Sequence, residues 1–124
     1  MFINYNSHNH PIVSVELTND DILLFKTNLY SYRYMAIGDC CSKSVFKKFQ
    51  DKDYSTVVGK IIKGLKEINE EFDYDSDSSD DSDEHVSPHL YEMSFKNSDE
   101  TFRFLMVNYS NGYYDGWINS YVVI

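Results

Sequence analysis

The sequence predicts an α+β fold: a mostly antiparallel, twisted sheet of about seven or eight short strands, with one helix near residues 43–52. Three observations carry that expectation. Short runs of β-branched and aromatic residues recur between clusters of Asn, Asp, Ser and Gly, which is how strands and turns read in a sequence. One stretch, Lys43 to Lys52, spaces Val45, Phe46 and Phe49 like a helical face. Apolar residues make up 42% of 124 and aromatics 16%, enough for a core, and the length fits one domain spanning 1–124.

The elements follow in order. Ile12 to Leu17, the turn Thr18-Asn19-Asp20-Asp21 and Ile22 to Thr27 read as a hairpin, and Tyr30 to Met35 alternates aromatic with polar side chains. Residues 12–36 therefore predict a three-strand meander. Ser42 or Ser44 would cap the helix that follows. Ser55 to Val58 reads as a helical turn or a short strand, and Leu65 to Phe72 as a loose strand. Residues 73–88, rich in Asp and Ser and closed by Pro88, predict a flexible acidic loop. His89 to Lys96 sets Tyr91, Met93 and Phe95 on one face, a half-buried strand. Asn97 to Glu100 is a turn and Thr101 to Val107 the partner strand. Ser110-Asn111-Gly112 predicts a second hairpin turn, since Asn-Gly accepts positive φ, and Trp117 to Val123 is the last strand.

Charge is unevenly spread. The net charge is −9, yet Glu67 to Glu84 alone holds ten of the twenty acids and no base. The remainder carries ten acids against eleven bases, and Lys43 to Lys66 holds seven lysines. Overall acidity argues against a general polyanion binder, so nucleic acid is not an expected partner. No run approaches a membrane span, and the amino terminus lacks a basic and apolar leader pattern, so no membrane association is expected. Cys40 and Cys41 are adjacent, which disfavours a disulfide between them and fits a reducing, intracellular setting.

Few residues signal chemistry. Asp39-Cys40-Cys41 lies where a strand ends and the helix would begin, so a low-pKa thiol is conceivable there; the plainer reading is small side chains packing a tight junction, with Asp39 as cap. His85 and His89 are four apart, but Pro88 between them opposes a shared helical face, and adjacent cysteines make poor zinc geometry. No metal site, cofactor or catalytic residue is expected. Ser110 to Trp117 is the densest cluster of aromatics and turn residues. Asn111 and Asp115 offer hydrogen bonds and Tyr113 and Tyr114 offer rings to a ligand; alternatively the aromatics fill the rim of the core. Ser78, Ser79 and Ser82 sit among acids, a context for acid-directed kinases, although a solvated surface insertion explains the segment as well.

Asp39-Cys40-Cys41 together with Ser110-Asn111-Gly112-Tyr113-Tyr114 resembles a family of small uncharacterised phage and bacterial domains marked by Asp-Cys-Cys-Glu and Ser-Asn-Gly-Tyr-Tyr motifs. The likeness spans about residues 12–118. The second motif matches in full; in the first, Ser42 replaces Glu, and Ala36 stands where members carry His. The resemblance implies a domain in a phage or viral setting and no particular activity, with the matching residues serving shape or ligand contact.

These readings converge on a non-enzymatic interaction module, binding a protein or small ligand near Asp39, Cys40, Cys41, Asn111, Tyr113, Tyr114 and Asp115. Two alternatives stand beside it: a thiol-dependent enzyme or redox protein using Cys40 or Cys41, and a viral assembly protein whose acidic loop meets a partner. Self-association into a homo-oligomer is compatible with each.

Overall fold

The computed structural model describes residues 9–39, 42–72, 85–110 and 115–123. Eight strands are found there: β1 (Ser14–Thr18), β2 (Ile22–Lys26), β3 (Ser31–Gly38), β4 (Lys43–Lys48), β5 (Ile62–Ile68), β6 (His85–Phe95), β7 (Thr101–Ser110) and β8 (Gly116–Val123). They form two antiparallel four-stranded sheets, ordered β1-β2-β3-β8 and β4-β7-β6-β5. One buried cluster draws side chains from both, including Phe25, Tyr32 and Tyr34 from the first sheet and Phe46, Met93 and Phe104 from the second. The architecture is a β-sandwich.

The α+β expectation is thus overturned. The fold is nearly all β, and the helical content among the described residues is one 3-10 turn, Tyr54–Val57, capped by the Asp53 carboxylate accepting from the Ser55 N–H. The helix read at 43–52 is strand β4 followed by a tight turn in which Gln50 and Asp51 take positive φ. The reason lies in burial. Ser44, Val45 and Phe46 are consecutively buried, Phe46 in the core between the sheets and Val45 in a second cluster on the outer face with Leu105 and Val107. A strand covered on both faces loses its alternation, so its apolar spacing imitates a helix.

The meander over 12–36 is present as β1–β3, with Asn19 and Asp20 at positive φ in the first turn. Strand β6 starts at His85, so the last four residues of the expected acidic loop belong to a ladder, and residues 73–84 lie outside the described residues. Asn111 and Gly112 of the turn expected between the last two strands lie outside the described residues, and the two strands are not ladder partners. β7 pairs with β4 and β6, β8 pairs with β3, and the intervening link crosses from one sheet to the other.

The inward face of the second sheet is graded. Phe95, Phe102 and Phe104 fill one end; moving along β7, Met106 follows, then Asn108, opposite Ser44 on one side and Ser87 on the other. One end of the sandwich is aromatic and the other polar. No helix among the described residues is long and apolar enough to cross a membrane.

Candidate functional site

The polar end gathers what the two sequence motifs flank. Gly38 at the end of β3 is paired with Gly116 at the start of β8, and the Asp39 N–H donates to the Asp115 carbonyl at 3.0 Å. Asp39 and Asp115, which border in sequence the Cys40-Cys41 and Asn111 to Tyr114 segments, therefore lie side by side. Both glycines are required by close approach. A Cβ on Gly116 would fall on Ser44 Oγ and within 2.7 Å of the Ile37 carbonyl, and one on Gly38 would lie 2.7 Å from the Ser42 carbonyl.

Asn108 ties the sheets together here. Fully buried, its Nδ2 donates to Ser44 Oγ at 2.9 Å and to Ser42 Oγ at 3.1 Å. Ser44 Oγ donates in turn to the Ile37 carbonyl at 2.9 Å, and Ser42 Oγ to the Asp39 carbonyl at 2.8 Å. The Oδ1 of Asn108 is a buried acceptor that receives no donor, an unsatisfied group of the kind a packed interior ordinarily avoids.

Beside this seam stands His89, on the inward row of β6 with Tyr91, Met93 and Phe95. Its Nδ1 lies 3.1 Å from Glu67 Oε2 on β5, and its Nε2 lies 2.9 Å from Asp115 Oδ1 and 3.3 Å from Ser87 Oγ. Both carboxylates only accept, so satisfying both requires an N–H on each nitrogen: the geometry is that of an imidazolium. Burial opposes the charged ring, but the hydrogen bonds and charges of Glu67 and Asp115 outweigh it and raise its pKa above the ordinary imidazole value. Asp115 Oδ1 also accepts from the Gly116 N–H at 2.8 Å, which fixes the carboxylate at the head of β8. The Tyr91 hydroxyl donates to Glu67 Oε1 at 3.3 Å, and burial followed by the Glu67 charge pushes its pKa up. With both nitrogens engaged, this ring is an ionic anchor between the sheets and offers no free base.

Of the residues singled out in the sequence, Asp39 and Asp115 are brought together, both exposed. Cys40, Cys41, Asn111, Tyr113 and Tyr114, and the serines Ser78, Ser79 and Ser82, lie outside the described residues. Glu67, Tyr91, Asn108 and Ser44 were missed as site residues, and His89 was weighed only as a metal ligand. The period-2 pattern does place His89 on the buried row, and that parity was the available signal. Among the described residues, no group of three or more His, Cys, Asp or Glu is arranged to hold a metal ion. A cavity of about 720 Å³ opens beside Ser42, Lys43 and Tyr109, next to the motif links. A larger groove of about 1040 Å³ lies away from them, over Phe49, Phe72, Leu90 and Leu105.

No family model matches the chain, and no solved structure matches it. The sequence is 40% identical over 98 residues to Uncharacterized protein L278 of Acanthamoeba polyphaga mimivirus, a match covering 77% of this chain and 72% of that protein.

Proposed function

The chain belongs to the family of that mimivirus protein, and from this premise we propose that it is a non-enzymatic viral binding module whose ligand, a small molecule or a protein segment, docks at the polar end of the sandwich. The observation that carries the reading is the convergence at Asp39 and Asp115. Two links far apart in sequence leave one ladder rung together, and Asp115 is held from the opposite sheet by His89. The motif likeness to small phage and bacterial domains supports the same location, since its matching residues fall in those two links. The neighbouring cavity of about 720 Å³ is of the size that small-molecule sites take.

In this reading the seam through Asn108, Ser42 and Ser44 positions the links, the imidazolium fixes Asp115, and Tyr113 and Tyr114 supply contact area. Native mass spectrometry of the full chain from its producing cells tests it. A bound mass should be retained by the wild type and lost from a folded Tyr113→Ala/Tyr114→Ala variant. Retention of the same mass by the folded variant would refute the assignment.

A further inference from the structure

The outer face of the first sheet, on the side away from the core, is a separate surface. By strand register it presents Ile22, Leu24, Met35, Ile37, Trp117 and Tyr121, with Trp117 45% exposed. Arg33 stands among them, between Leu24 of β2 and Tyr121 of β8. Its Nε is buried and makes no hydrogen bond. Glu16, in the same row two strands away, is held by Lys26 at 3.0 Å. Among the described residues of these four strands, Arg33 is the outward charge left unneutralised. A buried N–H without an acceptor is costly, and an apolar surface ringed by polar residues is a common mark of an interface.

The geometry points to this face as a docking surface for another protein, one that sets a carboxylate among apolar side chains opposite Arg33. Charge complementarity selects the carboxylate, because the guanidinium is a fixed cation whose planar fork matches it. Size argues against a second copy of this chain. Four strands about 4.8 Å apart give a face on the order of 400 Å², whereas obligate homodimers bury roughly 1,000 Å² or more per partner. A two-fold contact would also set the same patch against itself, bringing a second Arg33 and, as its acid, a Glu16 already paired with Lys26. The partner is therefore a transient one, and its binding is weakened by salt.

Trp117 is the sole tryptophan, so its fluorescence reports on this face alone. The full chain is titrated with a synthetic peptide of alternating Leu and Thr bearing one central Glu, and with its Gln twin, while amide NMR shifts are mapped. The Glu peptide should shift Trp117 emission to the blue, move the amides of Leu24, Arg33 and Met35, and bind about tenfold more tightly than the twin, the loss of one charge-assisted contact. Arg33→Gln should erase that preference and Arg33→Lys retain part of it. The comparison of twins on the wild type stands even if a variant misfolds. Equal binding of the twins, no binding of either at millimolar concentration, or shifts confined to the other face would overturn the proposal. So would sedimentation showing a dimer that Trp117→Ser dissociates.

Discussion

Replacing His89 with Gln gives the sharpest test of the polar end. The ring spans the sandwich, from Glu67 and Ser87 in one sheet to Asp115 in the other, at 3.1, 3.3 and 2.9 Å. Its folded pKa is raised, so its ionic contribution is fully present below the unfolded value of about 6.5 and is lost as pH rises through the higher folded value. The carboxylates are 52% and 64% exposed, which limits each pair to the range of partly exposed ion pairs, about 0.2–1 kcal/mol. Two pairs then amount to roughly 1 kcal/mol, or about 3–6 °C in Tm for a domain of this size. Thermal unfolding of wild type and His89→Gln should therefore differ most near pH 5.5 and converge as pH rises past neutrality. The imidazole resonances of His89, followed by NMR, should titrate above the ordinary value. A gap between the two proteins that stays constant or widens with pH, or a ring titrating below 6.5, would refute the imidazolium assignment.

Other expectations follow from packing. Phe104 is fully buried, stacked on Tyr91 at an 18° interplanar angle and in edge or tilted contact with Phe46, Tyr54 and Phe102, so Phe104→Ala should cost about 3–5 kcal/mol in urea unfolding. Asn108→Ala removes the donor to two serine hydroxyls in the interior and should cost about 1–3 kcal/mol, with hydrogen-exchange protection falling first in β4 and at the head of β8. Gly116→Val cannot be seated against Ser44 and the Ile37 carbonyl and should leave soluble protein scarce, whereas Gly64→Ala, with open space around its Cβ, should express normally. Arg103 bridges Glu92 at 3.0 Å and Glu70 at 3.3 Å on the surface; Arg103→Gln should lower stability by less than about 1 kcal/mol, and 0.5 M salt should shrink that loss.

Strand content was legible where one face meets solvent. β2 and β3 alternate buried with half-buried residues, and the meander follows directly from that pattern. β4 was illegible because a second apolar cluster covers its outer face, so Val45 and Phe46 are both buried and local periodicity no longer reports direction. The crossing from β7 to β8 was hidden for another reason. Asn-Gly speaks for a tight turn, but which strand a chain joins next is decided by distant partners, here β3 for β8. The site was half legible. Asp39 was chosen from a motif and Asp115 from the cluster of aromatics and turn residues at 110–117, and their adjacency is a property of the β3–β8 ladder. His89 was visible by parity with Tyr91 and Met93, but its carboxylate partners come from 22 and 26 residues away, beyond any local pattern.

The placement of polarity within the sandwich bears on what the polar end is for. At the opposite end, Phe95, Phe102 and Phe104 pack with Tyr54 and Ile62, so the interior there is filled mainly by aromatic and aliphatic contact. The Asn108 end is instead held by a chain of serine and amide contacts that leaves Oδ1 unsatisfied, and by a charged ring that must be desolvated. Such arrangements stabilise less than apolar packing of the same volume and are retained where geometry has to be unique. What they fix is the spacing of Gly38, Asp39, Asp115 and Gly116, the four residues from which the two motif links depart. On the proposed reading, a site that needs two segments at a set distance accounts for that arrangement, where stability alone would favour apolar packing.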